Sequence, residues 1–223
     1  MSNQEGKIGI AVFFDMDGVL IDSEPVWQEA IDRIFGLLGI TLTAAMKLHT
    51  LGMGNEESVQ WVLGHHPEVK AGVRDICRQI DHAVLLRIEQ GIGAIPDADA
   101  LVRDLADRGM PLALVSTSSP AIIAAVLQAN CWDGLFRVVL SSEEVGPGKP
   151  DPAVYREAVR RMQADEACSV AIEDTLNGAR SAHGAGLRVI GFTRDPAVAA
   201  AMRPLVWQIA ADYAAIRRML CCE

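Results

Sequence analysis

Hydrophobic and polar positions follow two rhythms along this chain. Short unbroken apolar runs occupy Ile8–Phe14, Pro111–Ser116, Val138–Ser141, Ser169–Ile172 and Arg188–Phe192. Runs of that length suit strands buried on both faces. Between the later runs lie helical patterns at Asp97–Arg108, Pro120–Ala129, Pro152–Met162 and Thr175–His183. Ser119 before Pro120 supplies an N-cap and a first-turn proline. Strand and helix in alternation predict an α/β, Rossmann-like core: a parallel sheet with helices on both faces. From Ala197 the tail reads as a helix, a short strand at Val206–Ile209 and a last helix.

Between the first strand and Gly93 the rhythm is helical only. Val26, Ala30, Ile31, Ile34 and Leu38 recur at helical spacing after Ser23 as N-cap and Pro25 in the first turn. Val73, Ile76, Cys77, Ile80, Val84, Leu85 and Ile88 mark a longer amphipathic helix, and Asn55 is placed to cap a third segment bearing Val59, Val62 and Leu63. The simplest division is a helical insert over 21–93, with 1–20 and 94–223 forming the core. The expected hinges are Leu20–Ser23 and Gly91–Pro96.

Half of the 223 residues are hydrophobic and mean hydropathy is +0.20, enough for a sizeable core. Twenty Lys and Arg against 29 Asp and Glu give a net charge of −9. That balance argues against nucleic acid or an anionic membrane as partner. The five cysteines, Cys77, Cys131, Cys168, Cys221 and Cys222, show no CxxC or metal-ligand spacing. They fit a reducing, cytoplasmic setting. The apolar stretch before Asp15 is too short for a signal peptide or membrane span. No apolar segment is left over, so a monomer is expected.

Ligands of open parallel sheets sit at the C-terminal strand ends. There the sequence puts Asp15 and Asp17 after the first run, Ser116 with Thr117 and Ser118 after the second, and Glu173 and Asp174 after a later one. Lys149 lies in the loop GPGKPDP. Four clustered carboxylates oppose one another's ionisation. An oxygen-only donor set with no His or Cys suits Mg2+, which also supplies positive charge for an anionic ligand.

DMDGVL after a strand, Ser116, GKPDP and IEDTLNG together resemble the four motifs of the haloacid dehalogenase-like hydrolase superfamily, across most of the chain. The insert is similar to that family's small helical cap. LIDSEP, TLGM and IEDTLNG resemble its 2-deoxyglucose-6-phosphate and hexitol phosphatase branch. The resemblance implies a phosphatase of small sugar or polyol phosphates. It implies Asp15 as nucleophile and Asp17 as acid and then base. Asp15, the backbone carbonyl of Asp17, and Asp174 would hold Mg2+, with Glu173 a further ligand or a group behind the ligands. Ser116 would bind a phosphoryl oxygen, with Thr117 and Ser118 offering alternative hydroxyls, and Lys149 would neutralise phosphate and Asp15.

In the insert, Trp27 and the loop Leu51–Asn55 are candidates for touching substrate. His65, His66, His183, Trp61 and Trp132 read as ordinary loop, helix-end and packing residues. A phosphomutase similar to β-phosphoglucomutase is the competing expectation. The places where such enzymes carry a cap arginine and a histidine hold Asn55 and Trp27, neither a suitable cation. A binding protein with little turnover is a third expectation, with a phosphorylated metabolite as ligand in every case.

Overall fold

The computed structural model describes residues 9–50 and 53–221. Six parallel strands form one sheet in the order β3-β2-β1-β4-β5-β6. They are β1 (Val12–Phe14), β2 (Leu112–Ser116), β3 (Val138–Ser141), β4 (Val170–Glu173), β5 (Arg188–Phe192) and β6 (Gln208–Ala210). The register sets Phe14 beside Leu114 on one side and Ile172 on the other. From β1 the chain winds outward through β2 and β3, then returns to β4 on the opposite flank. The crevice at the carboxyl ends therefore opens beside β1.

Alternate residues of each strand face opposite layers. Val12, Phe14, Leu114, Ile172 and Ile190 join a core with α5 (Pro96–Asp107), α6 (Pro120–Ala129) and α10 (Tyr213–Cys221). Phe13, Ala113, Val115, Ala171 and Val189 face α7 (Ala153–Met162), α8 (Leu176–Gly184) and α9 (Pro196–Met202). Burial on both faces explains the unbroken apolar runs.

Four helices lie between β1 and α5: α1 (Glu24–Leu37), α2 (Ala44–Thr50), α3 (Asn55–Gly64) and α4 (Val73–Glu89). Ile34, Ile76, Ile80, Val84 and Ile88 are buried among them, and α4 also packs on α6. The chain's outward and return paths run side by side. Ile21 bridges Ala94, Ile95 N–H donates to the Leu20 carbonyl at 3.0 Å, and the Tyr213 hydroxyl donates to the Val19 carbonyl at 2.7 Å.

Several boundaries differ from the sequence pattern. The paired part of the first strand starts at Val12, because its neighbours begin at Leu112 and Val170 opposite that residue; Ile8 lies outside the described residues. β4 runs one residue further than its apolar pattern, so Glu173 belongs to the strand. Helix α2 has no buried residue, which is why it left no apolar period. Ser23 occupies the N-cap position of α1 without capping it, and Gly54 takes the N-cap of α3 in place of Asn55.

Candidate active site

β1 stops where hydrogen bonding to its neighbours runs out. Asp15 N–H still reaches the Ile172 carbonyl at 3.1 Å, and its side chain emerges beside the end of β4. Three residues on, Gly18 turns the chain with φ +77° and donates to the Ile21 carbonyl at 2.8 Å. A Cβ there would overlap the Asp174 carboxylate. Glycine thus permits both the turn and the close approach of the two motifs.

Lys149 comes in from the loop after β3. That loop is braced by Ser141, whose N–H donates to Glu144 and whose hydroxyl donates to the Ser118 carbonyl. Lys149 Nζ donates to Asp15 Oδ1 at 2.7 Å and to the Val115 carbonyl at 3.1 Å, and it pairs with Glu173 Oε1 at 2.6 Å. These contacts use all three ammonium protons. The Tyr155 ring covers the ammonium at 5.1 Å, and the Tyr155 hydroxyl donates to Glu173 Oε1 at 2.6 Å. Lys149, Asp15 and Glu173 are 6%, 7% and 0% exposed, so this is a buried ion cluster.

Burial dominates its electrostatics. It pushes the Asp15 carboxyl well above the usual carboxylate range; Lys149 pulls it back, and Glu173, Asp174 and Asp17 push it up again. Asp174 rises to about 7, from burial and then Glu173. Burial would lower Lys149, but Asp15 and Glu173 outweigh it and raise its pKa, so the lysine stays charged. One lysine does not neutralise this many acids.

One oxygen each from Asp15, Glu173 and Asp174 lies within 4.8 Å of the others. Glu173 Oε2 and Asp174 Oδ1 are buried without a hydrogen-bond partner. Orphaned, buried carboxylate oxygens beside excess negative charge fit a hard divalent cation.

The Asp17 carboxylate is held by four donors. Oδ1 accepts from the Ser23 hydroxyl and from Trp27 Nε1 at 3.3 Å. Oδ2 accepts from the Ser118 hydroxyl at 2.8 Å and the Ser116 hydroxyl at 3.3 Å. Ser116 Oγ in turn accepts from Ser118 N–H at 3.0 Å.

The structure thus brings Asp15, Asp17, Ser116, Lys149, Glu173, Asp174 and Trp27 together, with Thr117 half-buried on the same loop as Ser116. Asn55 is engaged elsewhere: its carboxamide donates to Asp81 Oδ1 at 2.8 Å and to the Cys77 carbonyl at 3.4 Å, tying α3 to α4. Of the proposed substrate loop, Leu51 and Gly52 lie outside the described residues. Sequence reasoning missed Ser23, Tyr155 and Gly178. A Cβ on Gly178 would overlap the Glu173 carboxylate. A glycine in the first turn of a helix, where propensity disfavours it, was the available signal.

The chain belongs to the haloacid dehalogenase-like hydrolase family, whose model matches residues 11–186, a span that includes every site residue above. Among known proteins, the chain is 32% identical to CbbY of Cereibacter sphaeroides over 210 residues, 87% of this chain and 90% of that protein. The crystal structure of CbbY from Rhodobacter sphaeroides in complex with phosphate superposes with a TM-score of 0.79 at 27% identity, covering 92% of this chain and 94% of that one. A mutant of that CbbY was crystallised with xylulose-(1,5)bisphosphate. Hexitol phosphatase B of Escherichia coli K12 is 27% identical over 182 residues, 81% of this chain and 82% of that protein. The bifunctional riboflavin kinase/FMN phosphatase of Arabidopsis thaliana is 29% identical over 197 residues, 88% of this chain; the chain spans about half (52%) of that protein's length. No helix among the described residues is long and apolar enough to cross a membrane.

Proposed function

We propose that the protein is a Mg2+-dependent phosphatase that hydrolyses small sugar or polyol phosphate monoesters through an aspartyl-phosphate on Asp15. The observation that carries this is the Asp15–Lys149 pair, buried beside the orphaned oxygens of Glu173 and Asp174 and next to a second, hydrogen-bonded acid. The phosphatases among its relatives support it.

Asp15, the Asp17 carbonyl and Asp174 would hold the metal, with Glu173 behind them. When bound, the metal neutralises phosphate charge and orients the phosphoryl group. Lys149 holds Asp15 Oδ1, which leaves Oδ2 to attack phosphorus. As the ester P–O bond breaks, Asp17 gives its proton to the departing alkoxide. Asp17 then takes a proton from water, whose oxygen attacks phosphorus. The bond to Asp15 breaks and inorganic phosphate leaves. Ser116 and Thr117 bind phosphoryl oxygens, and the charge of Lys149, whose protons are held by Asp15, Val115 and Glu173, offsets theirs.

Residues 21–93 act as a cap over the core formed by 1–20 and 94–223, excluding water from the reacting centre. Trp27 reaches the site from this cap. Asn55, through its bond to Asp81, ties two helices of this cap together.

The test is phosphate release from hexose and hexitol phosphates with Mg2+ or EDTA, using wild type and Asp15→Asn. Mg2+-dependent release that disappears in the variant is expected. Conversion of β-glucose 1-phosphate to glucose 6-phosphate without net release would make the enzyme a mutase and overturn the proposal.

A further inference from the structure

The Asp17 carboxylate has about four lone-pair directions, and four donors fill them. The donors are not equivalent. Ser23, Ser116 and Ser118 carry hydroxyls, which donate or accept by rotating. The indole N–H of Trp27 only donates. In a neutral carboxylic acid the carbonyl oxygen is the better acceptor. A donor that cannot turn round therefore favours the form in which its own oxygen is the carbonyl one.

We infer that Trp27 is a positioning residue for Asp17: by donating to Oδ1, it makes Oδ2 the oxygen that carries the proton to the leaving group. The inference rests on the phosphatase reading above.

Ser116 completes the arrangement. Its Oγ lies 3.3 Å from Asp17 Oδ2, the longer of the two contacts there; the hydroxyl has a single proton to donate, and its oxygen already accepts from Ser118 N–H. That proton cannot serve Asp17 and a phosphoryl oxygen together. A bound phosphate that takes it opens one lone pair of Oδ2, while Trp27 and Ser23 still occupy Oδ1. During ester cleavage the Oδ2 proton moves to the alkoxide oxygen as P–O breaks. During hydrolysis of the acyl phosphate, Oδ2 takes a proton from the attacking water. Trp27 lies on α1, so its indole brings a cap residue to the acid.

A positioning role of this kind predicts a dependence on the leaving group. An alkoxide needs a proton to depart; p-nitrophenolate, a stable anion, does not. Trp27→Phe keeps the ring and removes the N–H. With Mg2+, its rate of leaving-group release in single turnovers should fall about tenfold further on the best alkyl phosphate than on p-nitrophenyl phosphate, a modest part of the ~10²–10⁴ that general acid–base catalysis supplies. KM for the alkyl ester should change little.

Equal losses on both esters would overturn the inference, as would a loss confined to KM of the sugar ester, which would make Trp27 a surface for the sugar. A second measurement needs no turnover. The Trp27 indole N–H resonance, identified among the four tryptophans by its loss in Trp27→Phe, should move in Asp17→Ala. An unmoved resonance overturns the inference. Wild type inactive on both esters would overturn the phosphatase reading and this inference with it; activity without the leaving-group split overturns the inference alone.

Discussion

Lys149→Met keeps most of the side-chain stem and deletes the charge. In the wild-type site the ammonium bonds Asp15 and Glu173 with almost no solvent exposure. Removing one member of a buried pair costs about 3–5 kcal/mol, because the partner charge is left uncompensated. At about 2–4 °C per kcal/mol for a chain of this size, the unfolding midpoint in EDTA should drop by about 6–20 °C at pH 8. The loss should shrink in acid. Asp15 has its folded pKa raised above the unfolded value, first by burial and then by the neighbouring acids. The folded chain therefore binds more protons than the unfolded chain between those values, and stability falls as pH rises through that window. Without Lys149 the value rises further, so the deficit grows with pH. Calorimetry of both proteins in EDTA at pH 5 and pH 8 measures this. Mg2+ should restore more stability to the variant than to wild type, since the site gains one net negative charge. Phosphate release should fall by about 10²-fold or more, as for loss of a preorganised electrostatic group. An unchanged midpoint at pH 8 would refute the buried-pair reasoning.

Further outcomes follow from the same geometry. Gly178→Ala should lower both the midpoint and the turnover, because its Cβ meets a Glu173 carboxylate that Lys149 and Tyr155 hold in place; Gly36→Ala in α1, where a Cβ meets nothing within 4 Å, should instead raise stability by about 0.5–1 kcal/mol in thermal unfolding. Tyr155→Phe removes one donor from Glu173 Oε1 and should weaken Mg2+ binding by calorimetric titration and slow turnover; wild-type values for both would show that the hydroxyl does not support the site. Burial raises Asp81 to about 6, with Asn55 opposing and Glu143 adding, so wild-type stability should decline as pH rises from about 4 to 6. Asp81→Asn should flatten that decline in melts across the window, and an unaltered slope would count against it.

Much of the candidate site was legible because its residues sit where strands end. Asp15, Ser116 and Asp174 each close a short apolar run, and a parallel sheet gathers such ends at one edge. Lys149 was legible through the place of its loop between a strand and a helix. What sequence could not reveal was hydrogen-bond partnership across elements. Ser23 looked like an N-cap, yet its hydroxyl goes to Asp17. Asn55 looked available to substrate, yet it is bound to Asp81 across α3 and α4. Tyr155 lies within the helical pattern at Pro152–Met162 with nothing in the sequence to set it apart, because its ring is buried and only its hydroxyl takes part. Helix α2 escaped because it buries nothing, and apolar period is what sequence reading detects.

The central claim is that Asp15 carries the phosphoryl group between ester and water. Acid-quenched single turnovers with Mg2+ and the best sugar phosphate, followed by mass analysis of the peptide containing Asp15, test it most directly. The account predicts a base-labile phosphoryl adduct on Asp15 that forms and decays with phosphate release and is missing in Asp15→Asn. Phosphate released at full rate with no adduct, or by Asp15→Asn, would contradict it.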